Sequence, residues 1–392
     1  MRPRILSRPG LHTTGFYVAL FLATGVHLPF WPLWLSDWGL SPSEIGVYTA
    51  IGIAVRVVAG VVIPAIADRL DARRWVLAAC AAGGAALFLG HLGISTRPML
   101  LAATIGTGVA FAGITPISEA LGLAAARAWN FPYAQSRGIG SSGYLAANVA
   151  AGVLIGWTGT WVALWWIVVC LLATAVLAVG HPGGGQVRST ALPPRMSEMG
   201  RLMVNGTFVL FIGAVAFLQG SHAVLYSLAT VHWRDLGISD GDIGLLWAVS
   251  VAAEILFMVL LGTVVIERFG AVMTMALASL AGVVRWGVMM LDPVGFWLWP
   301  IQALHCLSFG AGHLGAMAFI SMAVPDRYAA AAQGASATMA AGAVMALGMV
   351  IGAWLYPSLG GHTYGIGLAF SAIGLGLCVA LGRRWQGGEI AV

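Results

Sequence analysis

The sequence is divided into apolar runs whose length suits one solvent. About twelve of them follow one another, at residues 14–36, 43–66, 75–94, 98–121, 137–158, 161–181, 205–231, 240–264, 271–291, 294–321, 328–355 and 362–383. Each lies near the ~20 residues that a helix needs to cross a hydrocarbon layer ~30 Å thick. In lipid a segment must satisfy its own backbone N–H and C=O groups, so runs of this kind are read as α-helices. Composition agrees: 59% of residues are hydrophobic and 8% charged, against roughly 25% charged in soluble domains. The expected fold class is an all-α integral membrane protein of about twelve transmembrane helices. The basic N-terminus before residue 14 is read as the lead into the first helix, because the apolar run is long enough to span and carries no small-residue cleavage pattern. Cys80, Cys170, Cys306 and Cys378 each stand alone in an apolar run, a pattern of packing and not of metal or redox chemistry. No cofactor is expected.

All nineteen basic residues are arginine, and the formal charge is +5. In a soluble protein that balance suggests nucleic acid; here the arginines lie between apolar runs and report topology. With the N-terminus inside, the inner face holds Arg2, Arg4, Arg8, Arg69, Arg73, Arg74, Arg127, Arg188, Arg195, Arg201, Arg268, Arg327, Arg383 and Arg384, with Arg137 at its edge. The outer face keeps Arg97 and Arg234. Both termini are therefore placed in the cytoplasm of a bacterial inner membrane. The polar stretch HPGGGQVRSTALPPRMSEMGR divides the chain near its middle. Three segments result: a six-helix half at 1–181, a cytoplasmic linker at 182–204 and a second six-helix half at 205–392.

The halves repeat. GLSPSEIGVYTAIGIAVR, from Gly39, aligns without gaps on GISDGDIGLLWAVSVAAE, from Gly237, pairing Ser41 with Ser239, Glu44 with Asp242, Ile45 with Ile243 and Gly46 with Gly244. Arg56 falls on Glu254, so one intramembrane position carries opposite charge in the two halves. Gly25-Val26-His27 echoes Gly220-Ser221-His222, and Asp68-Arg69-Leu70 echoes Glu267-Arg268-Phe269. Two pseudo-symmetric six-helix halves are the construction of major facilitator transporters, whose solute site is expected near midplane where the halves face each other.

PAIADRLDARR resembles the facilitator loop between helices two and three: Asp68, Arg69, Arg73 and Arg74 fit its pattern, while Pro64 and Asp71 stand where glycines are usual. The resemblance implies a conformational latch at these residues, with Glu267 and Arg268 as its counterpart. GVHLPFWPLWLSDWGLSPSEIG, FLQGSHAVLYSLATVHW, GVVRWGVM and QALHCLSFGAGHLGAM are similar to segments of the phenylpropionate permease family, a branch close to lactose permease. YAQSRGIGSSGY resembles that branch's pattern at the start of helix five, matching at Tyr133, Arg137, Gly140 and Ser141 and departing at Ala134 and Ile139. In that branch an acid and an arginine on helices four and five sit at the substrate site, which here implies Glu119 and Arg137.

Ionised groups cost at least ~2.5 kcal/mol at the bilayer centre, so those present are expected to face a cavity and to be partnered. Glu119 with Arg137 is either a substrate contact or a salt bridge locking two helices. Glu254 with Arg285 is either the proton-coupling pair or a static one; Glu254 is the first choice for proton carrier, since a carboxyl in a poorly hydrated site can cycle near neutral pH. Arg56 either pairs with Glu254 or offers its fork to a solute carboxylate. Trp34, Phe30, Trp31 and Trp247 can supply a stacking surface, whereas Trp38, Trp233 and Trp297 read as interfacial anchors. His305 and His313 are candidates for proton relay, Gln219 and His222 for solute contact, and Asn148 and Gln302 stand behind them.

No nucleophile motif, metal constellation or P-loop is present, so neither an enzyme nor an ATP-driven pump is expected. The reading is a secondary transporter, working as a monomer by alternating access and importing a small aromatic carboxylate such as 3-phenylpropionate together with a proton. The alternative is a proton-coupled sugar or nucleoside symporter of lactose-permease type. The partners expected are the solute, protons and lipid, with no nucleic acid.

Overall fold

The computed structural model describes residues 5–184 and 196–390; Arg2, Arg4, Arg188, Arg195 and most of the expected linker lie outside them. The described residues form α1 (Arg8–Asp37), α2 (Pro42–Arg69), α3 (Arg73–Gly90), α4 (Arg97–Trp129), α5 (Tyr133–Thr158), α6 (Trp161–Val179), α7 (Met196–Val204), α8 (Gly206–Gly220), α9 (Ala223–Asp235), α10 (Asp240–Leu260), α11 (Gly262–Met289), α12 (Leu298–Ala303), α13 (Gly312–Ala323), α14 (Asp326–Thr338), α15 (Val344–Leu359) and α16 (Gly365–Arg384). Eleven stretches among the described residues are long and apolar enough to cross a membrane. The longest, Val344–Arg384, has 41 residues and would extend about 60 Å as one helix, two bilayer thicknesses. It breaks at Gly360 (φ 51°, ψ −129°), so it counts as two crossings and the total is twelve. The chain is an all-α membrane protein, as the apolar runs require.

The aligned repeats fold alike at their ends. Gly39 (φ 105°) and Gly237 (φ 82°) both take a positive φ that favours glycine. Each is followed by a capping box that satisfies the free N–H groups of a helix start. The Glu44 carboxylate accepts from Ser41 N at 2.9 Å while Glu44 N donates to Ser41 Oγ at 3.3 Å. In the twin, Asp242 N donates to Ser239 Oγ at 3.2 Å and the hydroxyl returns to Asp242 Oδ2 at 2.7 Å. The other ends match too: Asp71 (φ 50°) and Gly270 (φ 71°) both take a positive φ. That explains why a glycine is usual at the position of Asp71, and why aspartate, which tolerates this region, replaces it.

Contacts group the described residues into two units. Unit 1 comprises residues 5–40, 51–184 and 239–248; unit 2 comprises residues 41–50, 196–238 and 249–390. Within unit 1, α1 packs on α5 and α6, and α3 on α4 and α6. Small residues set the α1–α5 spacing, since a Cβ on Gly140 would lie 2.6 Å from Cβ of Tyr17. Tyr17 Oη donates to Ser118 O at 3.0 Å and Trp166 Nε1 to Leu22 O at 3.0 Å, tying α1 to α4 and α6. Beyond the end of α6, His181 is 1% exposed against the ring of Phe16. Burial, with a smaller push from His12, drives its pKa down to about 3.

Within unit 2, α16 packs on α8 and α11, and α13 on α11. Its core joins Phe208, Phe211, Met275, Phe319 and Leu381, with Phe211 and Phe319 stacked at 4.4 Å. Large apolar side chains such as Val58, Trp157, Val176, Val259 and Trp354 are well exposed. In water they would be a liability; against lipid they are the outer surface.

Candidate functional site

Unit 2 buries an arginine centre. Arg285 on α11 has no exposed surface, and both tips of its guanidinium are hydrogen-bonded while its Nε is buried without a partner. Nη1 donates to His305 Nδ1 at 3.0 Å and to Ser308 Oγ at 3.1 Å, while Nη2 donates to Gln302 Oε1 at 3.0 Å. The indole of Trp286 lies 4.6 Å from the guanidinium carbon. Gln302 Oε1 also accepts from Ser250 Oγ at 3.2 Å. Glu254 is expected to pair with Arg285 directly. Instead its Oε2 lies 3.5 Å from His305 Nε2, so the imidazole stands between acid and guanidinium.

The backbone explains how His305 and Ser308 come to face α11. Between α12 and α13 the chain widens into a π-helical stretch, Cys306–Ala311. Such stretches recur at functional sites because they re-aim side chains that a regular helix would send elsewhere. Gly310 in this stretch lets Glu254 lie close, since a Cβ there would sit 3.0 Å from Glu254 Cγ. His313, at the start of α13, is exposed and within electrostatic reach of Glu254.

The network continues to the break between α8 and α9. His222 Nε2 meets Ser308 Oγ at 3.3 Å, and His222 Nδ1 meets Gln219 O at 3.2 Å. A carbonyl only accepts, so Nδ1 carries the proton and Nε2 accepts from Ser308. His222 thus contacts the Gln219 backbone, while the Gln219 side chain is buried with Oε1 unpartnered. Trp286 Nε1 donates to Ser221 Oγ at 3.1 Å. Ser221, Ser250, Trp286 and Ser308 were not singled out by sequence; hydroxyls and indoles in apolar runs carry no signal until a charged neighbour is known.

Unit 1 holds an arginine of its own, half-buried on α2. The guanidinium carbon of Arg56 lies 4.7 Å over the ring of Phe111 on α4. Its Nε is buried without a hydrogen-bond partner. Phe111 opens an aromatic lattice of His27, Trp31, Phe88, His91 and Trp34, in which Trp31 and Trp34 stack at 4.5 Å. Trp34 is 2% exposed and also meets Trp161 edge-on, so it braces the lattice from behind. Trp247 is buried on α10, seven residues before Glu254.

Glu119 and Arg137 form a second polar cluster in unit 1. Arg137 Nε donates to Glu119 Oε1 at 2.7 Å and Nη1 to Ser141 Oγ at 3.1 Å, with the guanidinium 4.1 Å over Phe21. Asn148 is buried further along α5, its amide donating to Tyr144 O at 2.6 Å. At the turn after α2, Arg73 Nε donates to Asp68 Oδ1 at 2.5 Å and Arg74 lies over Trp75, leaving Arg69 exposed. In the repeat-related turn Arg268 lies over Phe269 at 5.9 Å, beside an exposed Glu267. Among the described residues no group of three His, Cys, Asp or Glu side chains is placed to hold a metal ion.

Known proteins share this construction. The family model described as "MFS_1 like family" matches residues 11–366. The chain is 28% identical over 315 residues, 78% of its own length and 80% of the relative's, to the "Probable 3-phenylpropionic acid transporter" of Escherichia coli (strain K12). It is 24% identical over 292 residues, 74% of its length and 71% of the relative's, to an "Uncharacterized transporter YwbF" of Bacillus subtilis (strain 168). Among solved structures, the nucleoside transporter NupG superposes with a TM-score of 0.75 at 16% identity, covering 97% of this chain and 100% of that one. A bacterial homologue of the human lysosomal transporter Spinster, in an inward-facing and occupied conformation, gives 0.68 at 16%, covering 96% of each.

Proposed function

The chain belongs to the MFS_1 like family, it is a multi-pass membrane transporter, and from that premise we propose that it imports a small aromatic monocarboxylate together with a proton across a bacterial inner membrane. One observation carries the substrate class: Arg56 lies beside an aromatic lattice with its Nε buried and unpartnered. A guanidinium set into an apolar surround without an anion is costly, and its fork matches a carboxylate. The ring of an aromatic acid has the neighbouring aromatic lattice to pack against. The name of the Escherichia coli relative supports the same class.

The proton is assigned to Glu254 and His305. The carboxyl sits on one imidazole nitrogen and Arg285 on the other, so any change of charge at Glu254 is felt at Arg285 through one ring. Ser308 and His222 extend the line to the α8–α9 break. Alternating access then couples release of the proton to release of the solute. Asp68, Arg69, Arg73 and Arg74, with Glu267 and Arg268 as the counterparts of Asp68 and Arg69, are assigned to the latch that holds helix ends in one state.

The test is a pair of recordings on proteoliposomes, external pH and current, on adding 3-phenylpropionate, lactose, a nucleoside or a blank. A monoanion entering with one proton is electroneutral, so alkalinisation without current on phenylpropionate is expected. Alkalinisation with inward current on lactose or nucleoside, and none on the acid, would replace this reading with symport of a neutral solute.

A further inference from the structure

Two histidines occupy repeat-related places, His27 on α1 and His222 at the α8–α9 break. Each stands near an arginine of its own unit. In unit 2 the protein closes the pair itself: Ser308 Oγ accepts from Arg285 Nη1 and donates to His222 Nε2. In unit 1 the ring of His27 lies 4.8 Å from that of Phe111, and Arg56 lies 4.7 Å over the same ring. Histidine and arginine thus both contact one phenyl ring, within electrostatic reach of each other. Among the described residues His27 makes ring contacts, to Trp31, Phe88 and Phe111, and no hydrogen bond. Arg56 Nε is likewise unpartnered. No hydroxyl among the described residues bridges them as Ser308 does in the other unit.

The Arg56 Nε, buried and unsatisfied near a half-buried imidazole that makes no hydrogen bond, is expensive unless a partner arrives that both groups can share. That partner must accept from a guanidinium and from an imidazole N–H, and must tolerate an aromatic floor. A carboxylate attached to a ring meets all three conditions; a hydroxyl-rich neutral solute lacks the charge to offset Arg56. We propose that His27 is a specificity-determining residue that donates to one oxygen of the solute carboxylate while Arg56 holds the other. The proposal rests on the reading of Arg56 as the carboxylate anchor, and it adds a residue for which helix position alone gave no reason.

The test compares wild type, His27→Leu, His27→Gln and Arg56→Gln, each purified as the full chain with a monodisperse elution profile and reconstituted. Uptake of labelled 3-phenylpropionate gives KM and kcat; competition by 3-phenylpropionamide, of the same shape and uncharged, gives the selectivity for charge. Loss of one charge-assisted hydrogen bond is worth about tenfold or more in affinity. His27→Leu is therefore expected to raise KM about tenfold, leave kcat within about threefold and cut selectivity over the amide, while His27→Gln, which keeps a donor, recovers most of both. A His27→Leu protein with wild-type KM and selectivity overturns the proposal, and if Arg56→Gln still raises KM the anchor reading survives alone. Equal failure of His27→Leu and His27→Gln in kcat with KM unchanged also overturns it, as a packing role would. If wild type neither binds nor moves the acid, both readings fall together, and the blank and nucleoside recordings show it.

Discussion

Arg285 and Glu254 meet opposite nitrogens of one imidazole. The guanidinium donates to Nδ1 of His305 at 3.0 Å, and Glu254 Oε2 lies 3.5 Å from Nε2. A guanidinium has no lone pair to offer, so Nδ1 is the acceptor and the ring proton sits on Nε2, facing the carboxylate. His305 is therefore held in one tautomer, and a second proton on it must displace Arg285.

This arrangement separates coupling from movement. Glu254→Gln removes the titrating group and leaves the shape. Accumulation driven by a pH gradient should fall to the level of a blank, while exchange of labelled for unlabelled solute persists. Wild-type accumulation by this variant would remove Glu254 from the coupling role.

Arg285→Lys tests the fork. Lysine keeps the charge but cannot serve His305, Ser308 and Gln302 together from one plane. The variant should lose about 1–3 kcal/mol of stability, read as a lower unfolding midpoint in detergent, because at least one buried acceptor is left unpaired. An unchanged midpoint with normal uptake would mean that these contacts are interchangeable.

Arg56→Gln should raise KM for 3-phenylpropionate at least about tenfold, the worth of a charge-assisted hydrogen bond. Uptake kinetics measure it. The amide analogue should lose little.

Gly140→Ala is predicted to cost about 1–3 kcal/mol through overpacking, since its Cβ would meet Tyr17. Thermal unfolding checks it, and Ser142→Ala, two residues on and exposed, is the neutral control.

His181 sets a pH dependence. Its folded pKa, about 3, lies below the ~6.5 of an unfolded histidine. The unfolded chain then binds a proton first, so stability is full above pH ~6.5 and falls as pH drops toward 3, by up to about 1.4 kcal/mol per unit. His181→Gln should flatten that slope in unfolding midpoints taken between pH 7 and 5.

Most of the architecture is legible in residues because lipid leaves so few choices. Run length fixed the crossings, and Gly39 with Ser41 and Glu44, repeated at Gly237, Ser239 and Asp242, marked the twin helix starts by chemistry that the capping contacts reproduce. Glu119 and Arg137 could be paired because a short connection joins their helices. Glu254 and Arg285 could not be placed so well, although they lie on successive expected crossings. Which residue of a third helix slips between them depends on how far that helix is turned, and period alone does not carry it. Ser250, Gln302 and Ser308 kept their contacts hidden for the same reason. His27 was visible only as an echo of His222; the Phe111 ring it shares with Arg56 comes from α4, far off in sequence.

The π-helical stretch Cys306–Ala311 makes chain length itself a functional quantity. A π turn carries about one residue more than an α turn. Deleting any one residue there would let the helix relax into regular geometry, with the backbone hydrogen bonds of the helix intact and the apolar surface scarcely altered. Yet His305 would swing by about 100° about the axis relative to α13. Single-residue deletions in this short window should therefore uncouple transport while sparing the fold, whichever residue is removed.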